Sequence, residues 1–224
     1  MRILALETSG LSGSVAAIAD GTLIELPLNA KQRSAQSLAP AIRGVLRQAG
    51  WQPTDVNLVA VTQGPGSFTG LRVGATTAKV FAYAAGAEVL GVNTLEVLAR
   101  QVPPECAAIE TVIDAHRQQL FVGRFERTPP GHLCWQGETE LVEFDDWLQA
   151  LSPDRWLCGP ILEKLRPQLP DWVQLVSETC WQPRAAAVGQ LAAEQYAAGR
   201  RGDIWQMLPF YGRASAAEEK RQGS

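Results

Sequence analysis

The sequence predicts an α/β protein built from two similar lobes. Three observations carry that prediction. Residues 3–19 and 107–125 both read as strand, carboxylate, polar turn, strand, with Glu7 and Asp114 in matching places. Between them, a strand runs through Gly64-Pro65-Gly66-Ser67-Phe68-Thr69-Gly70 into a helix. Hydrophobic residues make up 46% of the 224 and charged residues 19%, enough apolar material for a packed core. The length fits one large domain or two lobes of roughly 100 residues each.

The first half opens with a buried strand at 3–8. Strands at 14–19 and 22–26 follow, joined by Asp20-Gly21. Asp-Gly between apolar runs is a hairpin signal, so the opening is an antiparallel meander. Residues 34–50 form a helix, because Leu38, Ile42, Val45, Leu46 and Ala49 recur at helical spacing and Gly50 ends it. A strand at 57–62 leads to the glycine loop and a helix over 68–85. A short strand at 88–92 and a helix at 94–101 complete the half, and Pro103-Pro104 marks its end.

The second half repeats the opening. A strand at 107–113 ends at Asp114, Ala115-His116-Arg117-Gln118 turns the chain, and 119–125 returns. A helix at 145–151, a strand at 155–158 and a helix start at 159–165 follow, with Pro160 in the first turn. Residues 183–199 form an alanine-rich helix. The expected division is an N-terminal lobe at 1–103, a C-terminal lobe at 104–213 and a flexible polar tail at 214–224.

Composition excludes several functions. A formal net charge of −3 is not that of a protein that grips nucleic acid by itself. Arg43, Arg47, Arg200 and Arg201 read as basic spots on solvated helix faces. The apolar run at the N-terminus is broken by Glu7, too short for a secretion signal, and no stretch approaches the ~20 apolar residues of a membrane span. A cytoplasmic location is expected. Cys106, Cys134, Cys158 and Cys180 form no CxxC pair and read as reduced structural thiols.

Two features carry candidate chemistry. A strand, glycine turn and helix start offer free amides and the positive end of a helix dipole, which suit a phosphate. Gly64, Gly66, Ser67 and Thr69 are the residues of such a site, with Glu7, Thr8 and Asp114 beside it. The loop is neither a Walker loop nor GxGxxG, and a tight turn explains the glycines equally well. The second feature is the stripe Gly70, Gly74, Ala78, Ala82, where small residues recur every fourth position. Such a stripe admits a close neighbour. Either the protein's own first helix or a helix of another chain fills that place.

Other chemistry lacks its residues. His116 and His132 are the only two histidines and are not spaced as a metal pair. No GxSxG elbow and no Cys-His pair is present. A carboxylate-only Mg²⁺ site around Glu7 and Asp114 is the remaining metal option. In the superfamily of sugar kinases, actin and Hsp70, each lobe opens with a hairpin carrying an Asp near the nucleotide phosphates and Mg²⁺. Glu7 stands where that Asp is usual, and Ser9 where a glycine is usual, which argues against ATP hydrolysis.

Ile3-Leu4-Ala5-Leu6-Glu7-Thr8-Ser9 and Gly64 through Gly74 resemble the opening strand and the signature of the TsaB family, also called YeaZ. Gly91-Val92-Asn93-Thr94-Leu95 and Ile113-Asp114-Ala115-His116-Arg117 follow in the family's order. Pro209-Phe210-Tyr211-Gly212-Arg213 is similar to its Tyr-Leu-Arg element, with Gly212 in place of leucine. The resemblance implies an ASKHA fold (actin, Hsp70, sugar kinase), a duplicated RNase H-like fold of two lobes. It implies a non-catalytic subunit that pairs with a TsaD-type catalytic subunit, joined by a TsaE-type ATPase. The complex makes N6-threonylcarbamoyladenosine at position 37 of tRNAs reading ANN codons, so tRNA is met only through the complex. No cofactor is required, and weak ATP or ADP binding with Mg²⁺ is compatible with the fold. The helix that holds metal in TsaD corresponds to Gln32-Arg33-Ser34-Ala35-Gln36-Ser37, which has no histidine.

In the family, the first two helices form the partner interface. Carried over, that interface comprises Leu38, Ile42 and Leu46 on the first helix and Gly70, Gly74, Ala78 and Ala82 on the second. A homodimer is expected when the partner is absent. The alternative is an ATP-dependent small-molecule kinase or ATPase of the same superfamily, which would bind ATP·Mg²⁺ through Glu7 and Asp114. A metallopeptidase is opposed by the histidine count.

Overall fold

The structure is a computed structural model that describes residues 1–29, 34–128 and 131–210. The N-terminal sheet holds β1 (Ile3–Glu7), β2 (Ser14–Ala19), β3 (Thr22–Pro27), β4 (Leu58–Gly64) and β5 (Glu88–Asn93) in the order β3-β2-β1-β4-β5. The first three form the antiparallel meander, with Gly21 at φ +75° in the turn. β1, β4 and β5 are parallel, joined by helical crossovers. The crossovers are α1 (Ser34–Ala49) and α2 (Phe68–Ala85).

The strands alternate between two buried faces. Leu4, Leu6, Val59 and Val61 point to one face, where Leu38, Ile42, Val45, Ala78 and Ala82 cover them. Ile3, Ala5, Leu58 and Ala60 point to the other. A sheet buried on both sides reads as continuous apolar runs, and β1 and β4 have that pattern.

The C-terminal sheet repeats the plan. After α3 (Thr94–Gln101) come β6 (Ala108–His116), β7 (Gln119–Thr128), β8 (His132–Trp135) and β9 (Glu140–Glu143). α4 (Phe144–Gln149), β10 (Trp156–Cys158), α5 (Leu162–Leu165), β11 (Gln174–Leu175) and α6 (Ala185–Ala197) follow. The order is β11-β10-β6-β7-β8, with β9 also on β7. Both sheets begin with an antiparallel hairpin and add a parallel strand beside its first member.

Two helices cross between the halves. α3 gives Leu95, Leu98 and Ala99 to the core of the C-terminal sheet, beside Ile109, Val112 and Phe125. α6 returns to the N-terminal sheet and covers Ile3, Ala5 and Ala60 with Val188, Leu191 and Ala192. The extra strands β8, β9 and β11 are not apparent from the sequence. They have two to four residues, are mostly half-buried, and depend on a longer neighbour. Pairing with β8 carries β7 on to Thr128, past the expected end at residue 125. The Tyr211-Gly212-Arg213 element and the tail at 214–224 lie outside the described residues, as do Gln32 and Arg33.

Candidate functional site

Glu7 ends β1 with no solvent exposure. Its Oε1 accepts the Ser9 N–H and the Ser9 hydroxyl, each at 2.6 Å. Oε2 and the Thr8 hydroxyl oxygen are both buried and have no partner among the described residues. Burial pushes the Glu7 carboxyl above its ordinary pKa, and hydrogen bonds from Ser9 and Thr62 offset only part of that rise. Thr8 N–H reaches Thr62 Oγ1 on β4 at 3.4 Å. The carboxyl that sequence singled out is therefore enclosed, and burial shifts its equilibrium towards the neutral form.

The glycine loop closes over this strand end. Ser67 N–H donates to Ser9 O at 2.7 Å, so that amide is engaged within the fold. Ser67 also caps α2, its Oγ accepting Gly70 N–H at 3.3 Å. Gly66, at φ +153°, leaves 2.6 Å between the place of a Cβ and Ser9 O. Gly70 approaches the Thr8 carbonyl and Gly74 the Thr8 hydroxyl, both too closely for a Cβ. Gly64, at φ +125°, faces Phe210 O in the same way. The glycines permit close backbone approach, which is what the tight-turn alternative requires. Thr69 stands exposed in the first helical turn.

Asp114 sits near the end of β6 on the other sheet. Its Oδ1 accepts His116 N–H at 2.8 Å, and Lys164 Nζ lies 3.9 Å from Oδ2. His116, Arg117 and Gln118 take positive φ in succession, closing the hairpin in left-handed backbone. Among the described residues, no group of three or more His, Cys, Asp or Glu is placed to hold a metal ion. No described helix is long and apolar enough to cross a membrane.

The seven residues expected at a partner surface are all buried in this chain. Leu38, Ile42 and Leu46 turn inward from α1. Gly70, Gly74, Ala78 and Ala82 turn inward from α2, and what lies against the two glycines is Thr8, just past the end of β1, with Val61 of β4 also against Gly74. At Gly70 and Gly74 the close neighbour is not the first helix, while Ala78 and Ala82 share a core with Leu38, Ile42 and Val45 of α1. The opposite face of these helices is exposed. There α2 presents Thr76, Val80 and Tyr83, and α1 presents Arg43 and Arg47. Arg43, Arg47, Ile42, Leu46, Trp51 and Phe81 line a groove of ≈ 410 Å³ between the helices. Val80, Phe81 and Tyr83 escaped the sequence reading. The signal for them was present: three bulky apolar residues crowd a helix whose buried stripe is glycine and alanine.

Comparison with known proteins follows the same lines. The family model described as TsaD, tRNA N6-adenosine threonylcarbamoyltransferase, matches residues 25–130, which include α1, β4 and α2. A tRNA threonylcarbamoyladenosine biosynthesis protein TsaB of Bacillus subtilis is 29% identical over 98% of this chain and 97% of its own length. The TsaB of Buchnera aphidicola is 30% identical over 73% of this chain and 80% of its own length. A crystal structure described as an uncharacterized protein with similarity to peptidase YEAZ, from Pseudomonas aeruginosa, superimposes with a TM-score of 0.83. That match has 25% identity and covers 95% of this chain and 99% of the other.

Proposed function

The chain belongs to the TsaB (YeaZ) family of tRNA threonylcarbamoyladenosine biosynthesis proteins, and from that premise we propose that it is the non-catalytic accessory subunit of a TsaD-type transferase. In this role it pairs with the catalytic subunit that places the threonylcarbamoyl group on N6 of adenosine 37 in tRNAs reading ANN codons. Support comes first from relatives matched along nearly their whole length, so that the likeness extends over both lobes. The closed glycine loop adds to it. Its Ser67 amide and two of its glycines, Gly66 and Gly70, are committed to packing on Thr8 and Ser9, which suits a scaffold better than a phosphate cradle.

The pairing surface in this reading is the outer face of α1 and α2. The TsaD-type model matches the segment that carries those two helices, so a TsaD-type partner presents an equivalent pair. Like surfaces packing on each other across a two-fold or pseudo-two-fold axis are the common form of such contacts. The same face would serve a homodimer in the absence of the partner. A TsaE-type ATPase completes the complex, which works in the cytoplasm.

The test is reconstitution. The purified chain with tRNA and the threonylcarbamoyl-adenylate donor is expected to leave the tRNA unmodified. Adding the TsaD-type subunit is expected to yield threonylcarbamoyladenosine, measured by nucleoside analysis. Modification by the isolated chain would overturn the accessory role. Full activity of the catalytic subunit without this chain would overturn the need for a partner.

A further inference from the structure

The C-terminal segment 200–210 follows a course that the interface reading does not use. Gly202 approaches Val89 O at the outer strand β5. Trp205 then packs edge-on against Tyr83 near the end of α2, with ring centroids 6.2 Å apart. Met207 enters the core beside Ala78 and Ala82. Leu208 O accepts from Gln63 Nε2, and Phe210 N–H donates to Gln63 O at 2.6 Å. The segment is thus a strap that runs back along α2 from its last turn to the glycine loop.

Its apolar side chains are not all used in that anchoring. Trp205 is 77% exposed and Leu208 65%, and on the adjoining helix Tyr83 is 71% exposed and Val80 64%. Contiguous apolar exposure of this kind marks interaction surfaces, and tryptophan is enriched among residues that dominate binding energy. On α2, Phe81 turns to the α1 groove, Val80 points straight out and Tyr83 turns to the strap. A helix pair laid over α1 and α2 therefore reaches the strap at its rim.

We infer that the strap forms the second wall of the surface that receives the catalytic subunit, and that Trp205 is its aromatic anchor. This rests on the α1–α2 pairing proposed above and extends it to a part of the chain that the TsaD-type match, residues 25–130, does not include. The partner chemistry it requires is an apolar helix face with a pocket wide enough for an indole ring, flanked by carboxylates for Arg43 and Arg47. Trp205 and Tyr83 hold each other in place, so the ring is presented with little ordering cost on binding.

The experiment is calorimetric titration of the full chain with the catalytic subunit, using Trp205→Ala, Trp205→Phe and Val80→Arg. Trp205→Ala is expected to weaken the pairing about 30-fold, the scale of a lost aromatic anchor. Trp205→Phe keeps a ring against Tyr83 and is expected to recover most of the affinity. Val80→Arg is expected to weaken pairing at least as much. Thermal melts should match the unmodified chain, because these side chains are largely exposed. If Val80→Arg weakens the pairing and Trp205→Ala does not, the strap has no part in it and this inference fails alone. If Val80→Arg binds as the unmodified chain does, the α1–α2 reading falls and takes the inference with it. If Trp205→Ala loses only self-association, the occupant is a second copy and the inference is overturned.

Discussion

Gly74 on α2 faces the Thr8 hydroxyl so closely that a Cβ at position 74 would overlap Oγ1. One turn earlier, Gly70 faces the Thr8 carbonyl in the same way. The two contacts differ in what obstructs them, and that difference is testable. Overpacking a tight site costs about 1–3 kcal/mol, against about 1 kcal/mol gained when alanine replaces glycine in a helix. Gly70→Ala meets backbone and is expected to lose stability in any background. Gly74→Ala meets a hydroxyl that has no hydrogen-bond partner among the described residues. Thr8→Ala removes that obstacle, so the pair Thr8→Ala, Gly74→Ala should show a favourable coupling of about 1 kcal/mol or more in urea unfolding. Thr8→Ala should not rescue Gly70→Ala. Rescue of both, or of neither, would refute this account of the stripe.

The stripe illustrates what the sequence could and could not tell. Small residues every fourth position establish that something comes close. They do not say what, because a strand end and a partner helix demand the same absence of side chain. The neighbour is Thr8, just past the end of β1 and more than sixty residues earlier in the chain. The meander, the crossovers and α6 were legible because each has a strong local period or turn signal. The apolar periodicity of α1 was read correctly as one face, yet that face is the inward one. For a surface helix, the periodic apolar stripe is the core side by default. The exposed apolar residues on α2, such as Val80 and Tyr83, are instead the ones that break the pattern, and the proposed pairing surface rests on them. The strap was missed because segment 200–210 has no periodicity, and its course is set by single contacts such as Gln63 with Phe210.

The N-terminus of α6 is capped from the far end of the sequence. Ser14 Oγ accepts Ala185 N–H at 2.9 Å, and Glu25 Oε1 accepts Ala186 N–H at 3.2 Å and the Ser14 hydroxyl at 2.9 Å. Arg184 itself makes no side-chain cap. These bonds tie the returning helix to β2 and β3. Ser14→Ala is expected to cost about 1 kcal/mol, as for other lost caps. Glu25→Ala should cost more, since it leaves Ser14 and the Ala186 amide without their acceptor. Hydrogen exchange at the first amides of α6 should accelerate in both variants, ahead of the rest of the helix. Unchanged protection there would show that packing alone holds α6.

Glu110 organises the C-terminal sheet. Trp147 Nε1 donates to its Oε1 at 2.6 Å, and Arg124 Nε donates to its Oε2 at 2.9 Å. Arg124 also binds Glu140 on β9. The network pins β9 and α4 to the hairpin that carries Asp114. Leaving a buried donor without its acceptor costs about 1–3 kcal/mol. Glu110→Ala orphans the Trp147 indole N–H, leaves Arg124 with Glu140 alone, and is expected to cost that much. Glu110→Gln keeps an acceptor for Trp147, leaves Arg124 with Glu140, and should cost less than half as much. Equal melting temperatures for the two variants would mean that shape, not hydrogen bonding, is what Glu110 supplies.

Glu7 gives the fold a pH dependence of definite sign. Desolvation raises its pKa above the ordinary 4.5, and the bonds from Ser9 and Thr62 do not cancel the rise. An acid whose folded pKa is raised contributes stability that is fully present below its unfolded pKa and is lost as pH climbs through the folded one. The unmodified chain should therefore give up stability progressively above about pH 4.5. Glu7→Gln does not titrate. Its Oε1 can still accept from Ser9, and its amide can donate towards the Thr62 hydroxyl beside it. The variant should match the unmodified chain near pH 4 and melt at a higher temperature at pH 8. The gap should open between those limits. The sign also bears on function: burial that disfavours the charged carboxylate works against Mg²⁺ binding at this place. Parallel melting curves from pH 4 to pH 8 would mean that Glu7 is ionised in the fold throughout, and would reopen the metal–nucleotide reading of the β1 turn.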